Sequence, residues 1–437
     1  VSFKIFVVIV LAVCLAGCGS GGTGNSSNNS SGLNSATTVN AQTANNTSAA
    51  NNFASQQNGN LGANNVSKVD VHSLLYSGAK TKVLAQLLLW FGQSDHINVD
   101  YNSNDAAQVK RQIEDMISRG IDGVIIDWYG ANNTIDQAAQ LVMHEAESHP
   151  GFSFSIMIDA GAIAANSCNG CSPQQVLVNL LQYAEKTYFP SSAYLNIGGQ
   201  PVVTNFNVDA RYAVDWQQAN AQLQTPPRFL FQDQGGFTHA MSDGSYSWVM
   251  PGAGNYGLGY LTSFYDTGLT FPSEETMGAA YKGFNDQLAS WGSGRFMDQQ
   301  CGQTWLKTFS QVNSVYSSGQ QLPYLQLVTW NDYEEGTEIE SGVDGCFSLK
   351  ASMSGSKLDW STTSGDESTV DHYSVYSSQD GQNLTKLTDV GVGTHSFDMC
   401  SLTLAAGNYQ LYVQAVGKPS IANRMPQPLG YTAGCSN

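Results

Sequence analysis

The sequence predicts an α/β protein, a (β/α)8 TIM barrel followed by a small all-β sandwich. Three observations predict it. From about residue 68 to 344, short apolar runs alternate with segments whose apolar residues recur at helical spacing. The apolar runs repeatedly end in a carboxylate, an amide or a tryptophan, as barrel strands do when their C-terminal ends build a site. After Gly345 the helical period stops, and short runs separated by Gly, Asp and Ser take over. An open doubly wound sheet is the competing arrangement. No Gly-rich phosphate fingerprint follows the first run, which weakens it.

In chain order, residues 1–18 read as a signal peptide. Lys4 precedes the apolar run "IFVVIVLAVCLAGC", too short to span a bilayer comfortably. Its end, Leu15-Ala16-Gly17-Cys18, resembles a bacterial lipoprotein cleavage box. The implied chemistry is lipidation of the Cys18 thiol. The expected product is an exported lipoprotein held at the cell envelope through an N-terminal membrane anchor. Residues 19–67 are rich in Asn, Ser, Thr, Ala and Gly and hold no Asp, Glu, Lys or Arg. Such a segment buries too little apolar surface to offset its ordering entropy, and reads as a disordered tether.

Residues 68–344 are expected to form the barrel. The strand candidates are "VLAQLLLWFG", "IDGVIIDWYG", "FSFSIMIDAGA", "QPVVTNFN", "PRFLFQDQ", "YSWVMPG", "ETMGAAYKGFND" and "YLQLVTWND". "NDAAQVKRQIEDMISRG" is the clearest helix, with Val109, Ile113, Met116 and Ile117 on one face, Asn104 as its cap and Gly120 at its end. Residues 345–437 read as a seven-strand sandwich, with Trp360 as an anchor and Tyr409, Leu411 and Val413 alternating along one face. It resembles a fibronectin type III module.

A net charge of −17 makes nucleic acid an unfavourable partner. Eight Trp and 20 Tyr beside only 12% charged residues suit an exported carbohydrate-active protein. Beyond the leader, six cysteines remain, which allow fifteen pairings. Sequence order favours Cys168–Cys171, Cys301–Cys346 and Cys400–Cys435. "CNGC" lacks a second pair at zinc spacing and is expected to be a local bridge.

The polar strand ends are Trp90, Asp127-Trp128-Tyr129, Asp159, Asn205, Gln232-Asp233 and Trp330-Asn331-Asp332. Each is also explicable as a helix cap or core residue. The densest stretch is "VTWNDYEEGTEIES", with Asp332, Glu334, Glu335, Glu338 and Glu340 within nine residues. Such crowding costs stability unless solvent, partners or pKa shifts relieve it. Asp332 and Glu335 stand where two carboxyl groups would flank one glycosidic bond. Burial against Trp330 and Tyr333 and crowding by Glu334 and Glu338 would raise one of them, as a general acid needs. Glu338 and Glu340 read equally well as solvated groups or ion pairs.

"VTWNDYEEGTEIE" resembles the strand-eight signature shared by glycoside hydrolase families 71 and 99. Further likeness lies in "DYNSNDAAQVKRQIEDMISRGIDGVIIDWYG", "SIMIDAG" and "GQPVVTNF". The resemblance implies a retained or inverted cleavage of α-glycosidic bonds in a polysaccharide, α-1,3-glucan first and α-mannan next. It implies Glu335 as the general acid. Asp332 would be the base, for water or for the sugar's own 2-hydroxyl. Trp90, Asp127, Trp128, Tyr129, Asp159, Asn205, Trp330, Asn331 and Tyr333 are the expected substrate-binding residues. Glu334 departs from both families, which carry Gly or His there. A non-catalytic glycan-binding lipoprotein is the competing reading, and keeping both Asp332 and Glu335 argues against it. No Gly-x-Ser-x-Gly elbow or His-Glu-x-x-His motif is present, and no metal or organic cofactor is expected. Trp216, Trp291 and Trp305 read as packing residues, and His144 and His149 as exposed.

Overall fold

The computed structural model describes residues 65–363 and 366–434. The leader with Cys18, most of the tether, and Cys435 lie outside the described residues. Eight parallel strands close into a barrel: β1 (Lys82–Leu88), β2 (Gly123–Trp128), β3 (Ser153–Asp159), β4 (Gln200–Phe206), β5 (Arg228–Gln232), β6 (Gly244–Tyr246), β7 (Glu275–Ala280) and β8 (Tyr324–Leu327). Their order is β3-β2-β1-β8-β7-β6-β5-β4, and β3 pairs with β4 to complete the ring. Strand six lies just N-terminal to the expected "YSWVMPG". Three residues beside a Ser-Asp-Gly turn carry too little period to mark a strand.

Alternation along the strands builds two layers. Leu84, Ile125, Met157, Leu230, Tyr246 and Met277 fill the barrel interior. Val83, Val124, Ile126, Ile156, Val203 and Phe229 face the helical shell. Inside the barrel, Gln86 donates its amide N–H to Gln326 Oε1 at 2.9 Å, and Gln326 in turn donates to the Ser247 carbonyl.

The shell helices include α1 (Ala106–Ser118), α2 (Thr134–Glu147), α3 (Pro173–Thr187), α4 (Leu258–Leu269) and α5 (Gln303–Val315). Asp105, not the expected Asn104, caps α1: its side chain accepts from the Ala107 N–H, while Asn104 donates to the Thr134 carbonyl. Gly120 follows α1 at φ 78°, and a Cβ there would meet Asp70 Oδ1 at 2.1 Å.

The C-terminal region holds seven antiparallel strands in two sheets. One is β9 (Leu349–Ser354), β10 (Lys357–Thr362) and β13 (Ser396–Asp398). The other runs β12 (Thr385–Gly391), β11 (Val370–Ser378), β14 (Gly407–Gly417) and β15 (Leu429–Ala433). Trp360, Tyr373, Val375, Leu411 and Val413 pack between them. This region is fastened to the barrel. Trp305 donates its indole N–H to the Pro419 carbonyl at 2.9 Å, and Arg424 pairs with Asp344. Asn65–Ser67, placed in the tether by composition, are buried and join the same seam. Val66 bridges to Ala422, and the Asn65 amide donates to the Asn423 carbonyl at 3.0 Å. Cys168–Cys171 and Cys301–Cys346 are bonded as expected. Cys400 is also disulfide-bonded, and its expected partner Cys435 lies outside the described residues.

Candidate active site

The acidic stretch after β8 folds into a loop that closes on itself. Thr329 donates its N–H to the Thr337 carbonyl at 3.2 Å, and Glu340 donates to the Trp330 carbonyl at 2.8 Å. At its tip, Asp332 Oδ1 accepts the N–H groups of Glu334 (3.0 Å) and Glu335 (2.9 Å). Gly336, at φ 61°, makes the turn that follows.

The five carboxylates separate into two sets. Glu334 is buried against His96 at 2.8 Å and accepts the Ile97 N–H at 3.1 Å. Glu338 pairs with the buried Lys282 at 2.7 Å. Glu340 is buried and accepts from Tyr101 (3.0 Å), Gln112 (2.9 Å) and Tyr333 (2.9 Å). These three are structural. Asp332 and Glu335 instead face other carboxylates. Burial pushes Asp332 well above the ordinary carboxylate range, and Glu335 beside it adds to the push. Burial also raises Glu335, with the Arg295 guanidinium at 3.8 Å and the Trp291 indole N–H opposing.

Two strand ends complete the cluster. Asp127 closes β2 on the inner parity shared with Ile125, and its Oδ1 has no hydrogen-bond partner. Burial drives its carboxyl far upward, and Asp159, Asp332 and Glu335 reinforce this. Asp159 closes β3 on the same parity and caps the following short helix by accepting the Gly161 N–H. Burial raises it too, against the Gly161 N–H, Arg211 and the Tyr129 hydroxyl. Four carboxyl groups thus share the C-terminal mouth, and they titrate as a set. An arrangement of this kind can hold one carboxyl protonated beside another that accepts a proton.

Trp90 and Tyr129 line the same mouth, with their rings 6.2 Å apart. Trp90 stacks on His96 at 4.7 Å, which joins the platform to Glu334. Five other expected binding residues do not reach the site. Trp128 has the outer parity of β2, is fully buried, and donates to Asp136 at 3.0 Å while packing on Tyr183. Trp330 is fully buried under the Arg119 guanidinium. Asn331 is a clamp: its amide accepts from the Leu88 N–H and donates to the Leu88 carbonyl, both at 2.9 Å. Asn205 has the outer parity of Val203, whereas Phe206 packs towards the barrel interior beside Trp248. Tyr333 touches the site only through Glu340 and Phe91.

Trp291, read as packing, is 48% exposed and reaches Glu335, so that expectation is corrected. Arg295 and Arg211 were not singled out either. All three follow barrel strands in loops of the C-terminal face, and that position was their only signal.

No protein-family model matches the chain, and no curated protein matches it. Among solved structures it is similar to the GH99 endo-alpha-mannosidase from Bacteroides thetaiotaomicron, at 16% identity and a TM-score of 0.47, covering 60% of this chain and 88% of that one. The same enzyme in complex with BIS-TRIS-propane gives 17% identity and a TM-score of 0.46, covering 60% and 87%. A glycoside hydrolase-like protein gives 12% identity and a TM-score of 0.46, again covering 60% and 87%.

Proposed function

We infer that the barrel is a glycoside hydrolase that cleaves α-glycosidic bonds in a polysaccharide, an α-1,3-glucan first and an α-mannan next. The observation that carries this is the division of the acidic loop. Three carboxylates have close cationic or amide and hydroxyl partners, whereas Asp332 and Glu335, the latter with only Arg295 at 3.8 Å for a cation, gather with Asp159 around Asp127 at the barrel mouth. Glu335 is the proton donor. Its proton goes to the glycosidic oxygen as the bond to the anomeric carbon breaks. Asp332 takes a proton from water, or from the sugar's 2-hydroxyl in the alternative route. Its raised pKa suits a base, since proton transfer is most effective when the pKa lies near the working pH. Asp127 and Asp159 keep the site acidic and offer acceptors to sugar hydroxyls. The lipid anchor at Cys18 would hold this barrel at the envelope, with the fibronectin type III-like sandwich as a fixed spacer.

The test is reducing-sugar release by the full chain from α-1,3-glucan, other α-glucans and α-mannan. Release from one polymer, abolished in Asp332→Asn and Glu335→Gln, is the expected result. No release from any polymer, with retained binding, would replace this reading by glycan capture.

A further inference from the structure

The excursion between β7 and α5 carries most of the large hydrophobic side chains exposed on the described barrel. Phe284–Asn285 and Phe296–Met297 pair as a short antiparallel ladder. Among the described residues, five large hydrophobic side chains are exposed, and three lie here: Leu288 (65%), Trp291 (48%) and Phe296 (60%). Exposed apolar groups gathered in one patch mark a contact surface.

This excursion is braced from within. Asp286 is fully buried and accepts from the Ser293 N–H (3.1 Å), the Arg295 N–H (2.7 Å) and Arg295 Nε (2.7 Å). It is also keyed to the acidic loop, because the Asn285 N–H donates to the Glu335 carbonyl at 2.7 Å. Trp291 meets the edge of Trp90 at 5.9 Å, and its indole N–H faces the Glu335 carboxylate and helps hold its pKa down. Beside it, Trp90 Nε1 and Asp127 Oδ1 are buried with no partner in the protein. Unpaired polar atoms next to an exposed ring describe a surface awaiting a ligand with both hydroxyls and an apolar face.

We propose that Trp291 is the stacking residue for the hexose ring on the leaving-group side of the cleft, and that Arg295 is a positioning residue that ties this platform to Glu335. The proposal rests on the reading of Glu335 as the acid. An acid delivers its proton to the oxygen that departs with the leaving sugar, and the excursion that carries Trp291 is keyed to that acid by the Asn285 N–H and by Arg295 at 3.8 Å, which sets the indole beside that sugar. An indole braced by edge contacts with Trp90 at 5.9 Å and His96 at 6.0 Å presents a flat apolar face, which matches the C–H face of a pyranose. The charged groups facing Glu335 are Arg295 and, with opposite sign, Asp286, Asp332, Glu334 and Asp127. Arg295 is therefore the cation that favours the ionised acid.

The test compares two substrates for the full chain. One is the polymer that the wild type cleaves. The other is the glycosyl fluoride of the same sugar, whose leaving group has no ring and needs no proton. In Trp291→Ala the ratio of kcat/KM on polymer to that on fluoride should fall about tenfold or more, the loss usual for a central aromatic contact. Trp291→Phe should restore much of it. Equal losses on both substrates, or an unchanged ratio, would overturn the assignment. In Arg295→Gln the alkaline limb of kcat/KM on polymer should move to higher pH, because the acid loses its neighbouring cation. A limb that stays in place while activity drops would reduce Arg295 to a packing role. Polymer cleavage that survives Glu335→Gln would sink the acid assignment itself, whatever the Trp291 variants do. If the wild type cleaves no polymer, calorimetry with α-linked oligosaccharides decides. Binding unchanged by Trp291→Ala overturns the stacking role, and binding lost upholds stacking but overturns its assignment to a leaving-group side.

Discussion

Strand β2 has a carboxylate at either end, and the two are treated in opposite ways. Asp122, just before the strand, accepts the Val83 N–H at 2.7 Å and faces His72 Nε2 at 3.2 Å. Asp127, near its far end, faces three other carboxyl groups and leaves one oxygen unpartnered. Four residues of one strand therefore separate a carboxylate stabilised by its partners from one that destabilises the fold. The N-terminal end of a barrel can be arranged for stability alone, whereas the C-terminal end must hold chemistry. Stability and function need not be maximised at the same place.

The comparison breaks first at the chemistry. Glu335→Gln should lower turnover about a thousandfold, within the range for loss of a proton donor, while the melting temperature holds or rises. Rate and melting curves on one preparation check this. A fall in stability that tracks the fall in rate would make Glu335 structural. Arg119 provides the counterpart among the satisfied groups. It is fully buried, donates to the carbonyls of Ile339 (2.8 Å) and Glu340 (2.9 Å), and pairs with Asp115. Arg119→Met should cost about 3 kcal/mol or more, because it leaves the buried Ile339 and Glu340 carbonyls without a donor and Asp115 with Lys68 as its remaining cation. Urea unfolding monitored by tryptophan fluorescence would read it.

Much of this contrast was legible in the sequence. Apolar runs located seven of the eight barrel strands, because strands buried on both faces are nearly continuous in Val, Ile and Leu. The pair Asp332 and Glu335 stood out by crowding. Trp128 could have been excluded, since a residue next to an inward Asp127 must point outward. Trp291 and Arg295 were not legible. They lie in a Gly- and Ser-rich excursion without period, and the parallel pairing of β7 with β8 brings it to the residue 330–340 loop. The partners of Glu334, Glu338 and Glu340 lie 238, 56 and 228 residues away, at His96, Lys282 and Gln112. Sequence proximity made five carboxylates look alike, and tertiary contacts separated them.

A smaller effect sharpens the contrast from the functional side. Asp127 has its pKa raised by folding, so its contribution favours the native state below the unfolded value and is lost as pH rises towards the folded one. At neutral pH the wild type carries that penalty, and an amide does not. Asp127→Asn should therefore be more stable by about 1–2 kcal/mol near pH 7, the usual gain from relieving one unfavourable group, and less active. The gain should shrink as pH falls through the range above about 4 and vanish below it, where the carboxyl is protonated in both states. Thermal melts across that range test the sign, and a gain that grows on acidification would contradict it.

The smallest effect belongs to the stabilised end. His72 sits between Asp122 and Asp70, with Nδ1 2.8 Å from Asp70 Oδ1. The Asp122 hydrogen bond is the main cause that lifts its pKa to about 9, and Asp70 adds to it. A base raised by folding stabilises fully below its unfolded pKa and loses the contribution as pH rises through the folded one. His72→Gln should cost only about 0.5–1 kcal/mol near pH 6, because the imidazole is partly exposed and solvent screens the pair. The difference should fade as pH passes about 9. The trend is opposite to that of Asp127→Asn in both sign and pH window, although the residues altered lie at the two ends of one barrel. Melts of the two single variants and the double variant would show whether the ends act independently. Sites this far apart with no shared partner should add to within about 0.5 kcal/mol, and a larger departure would mean that the carboxylates at the mouth are felt along the whole of strand β2.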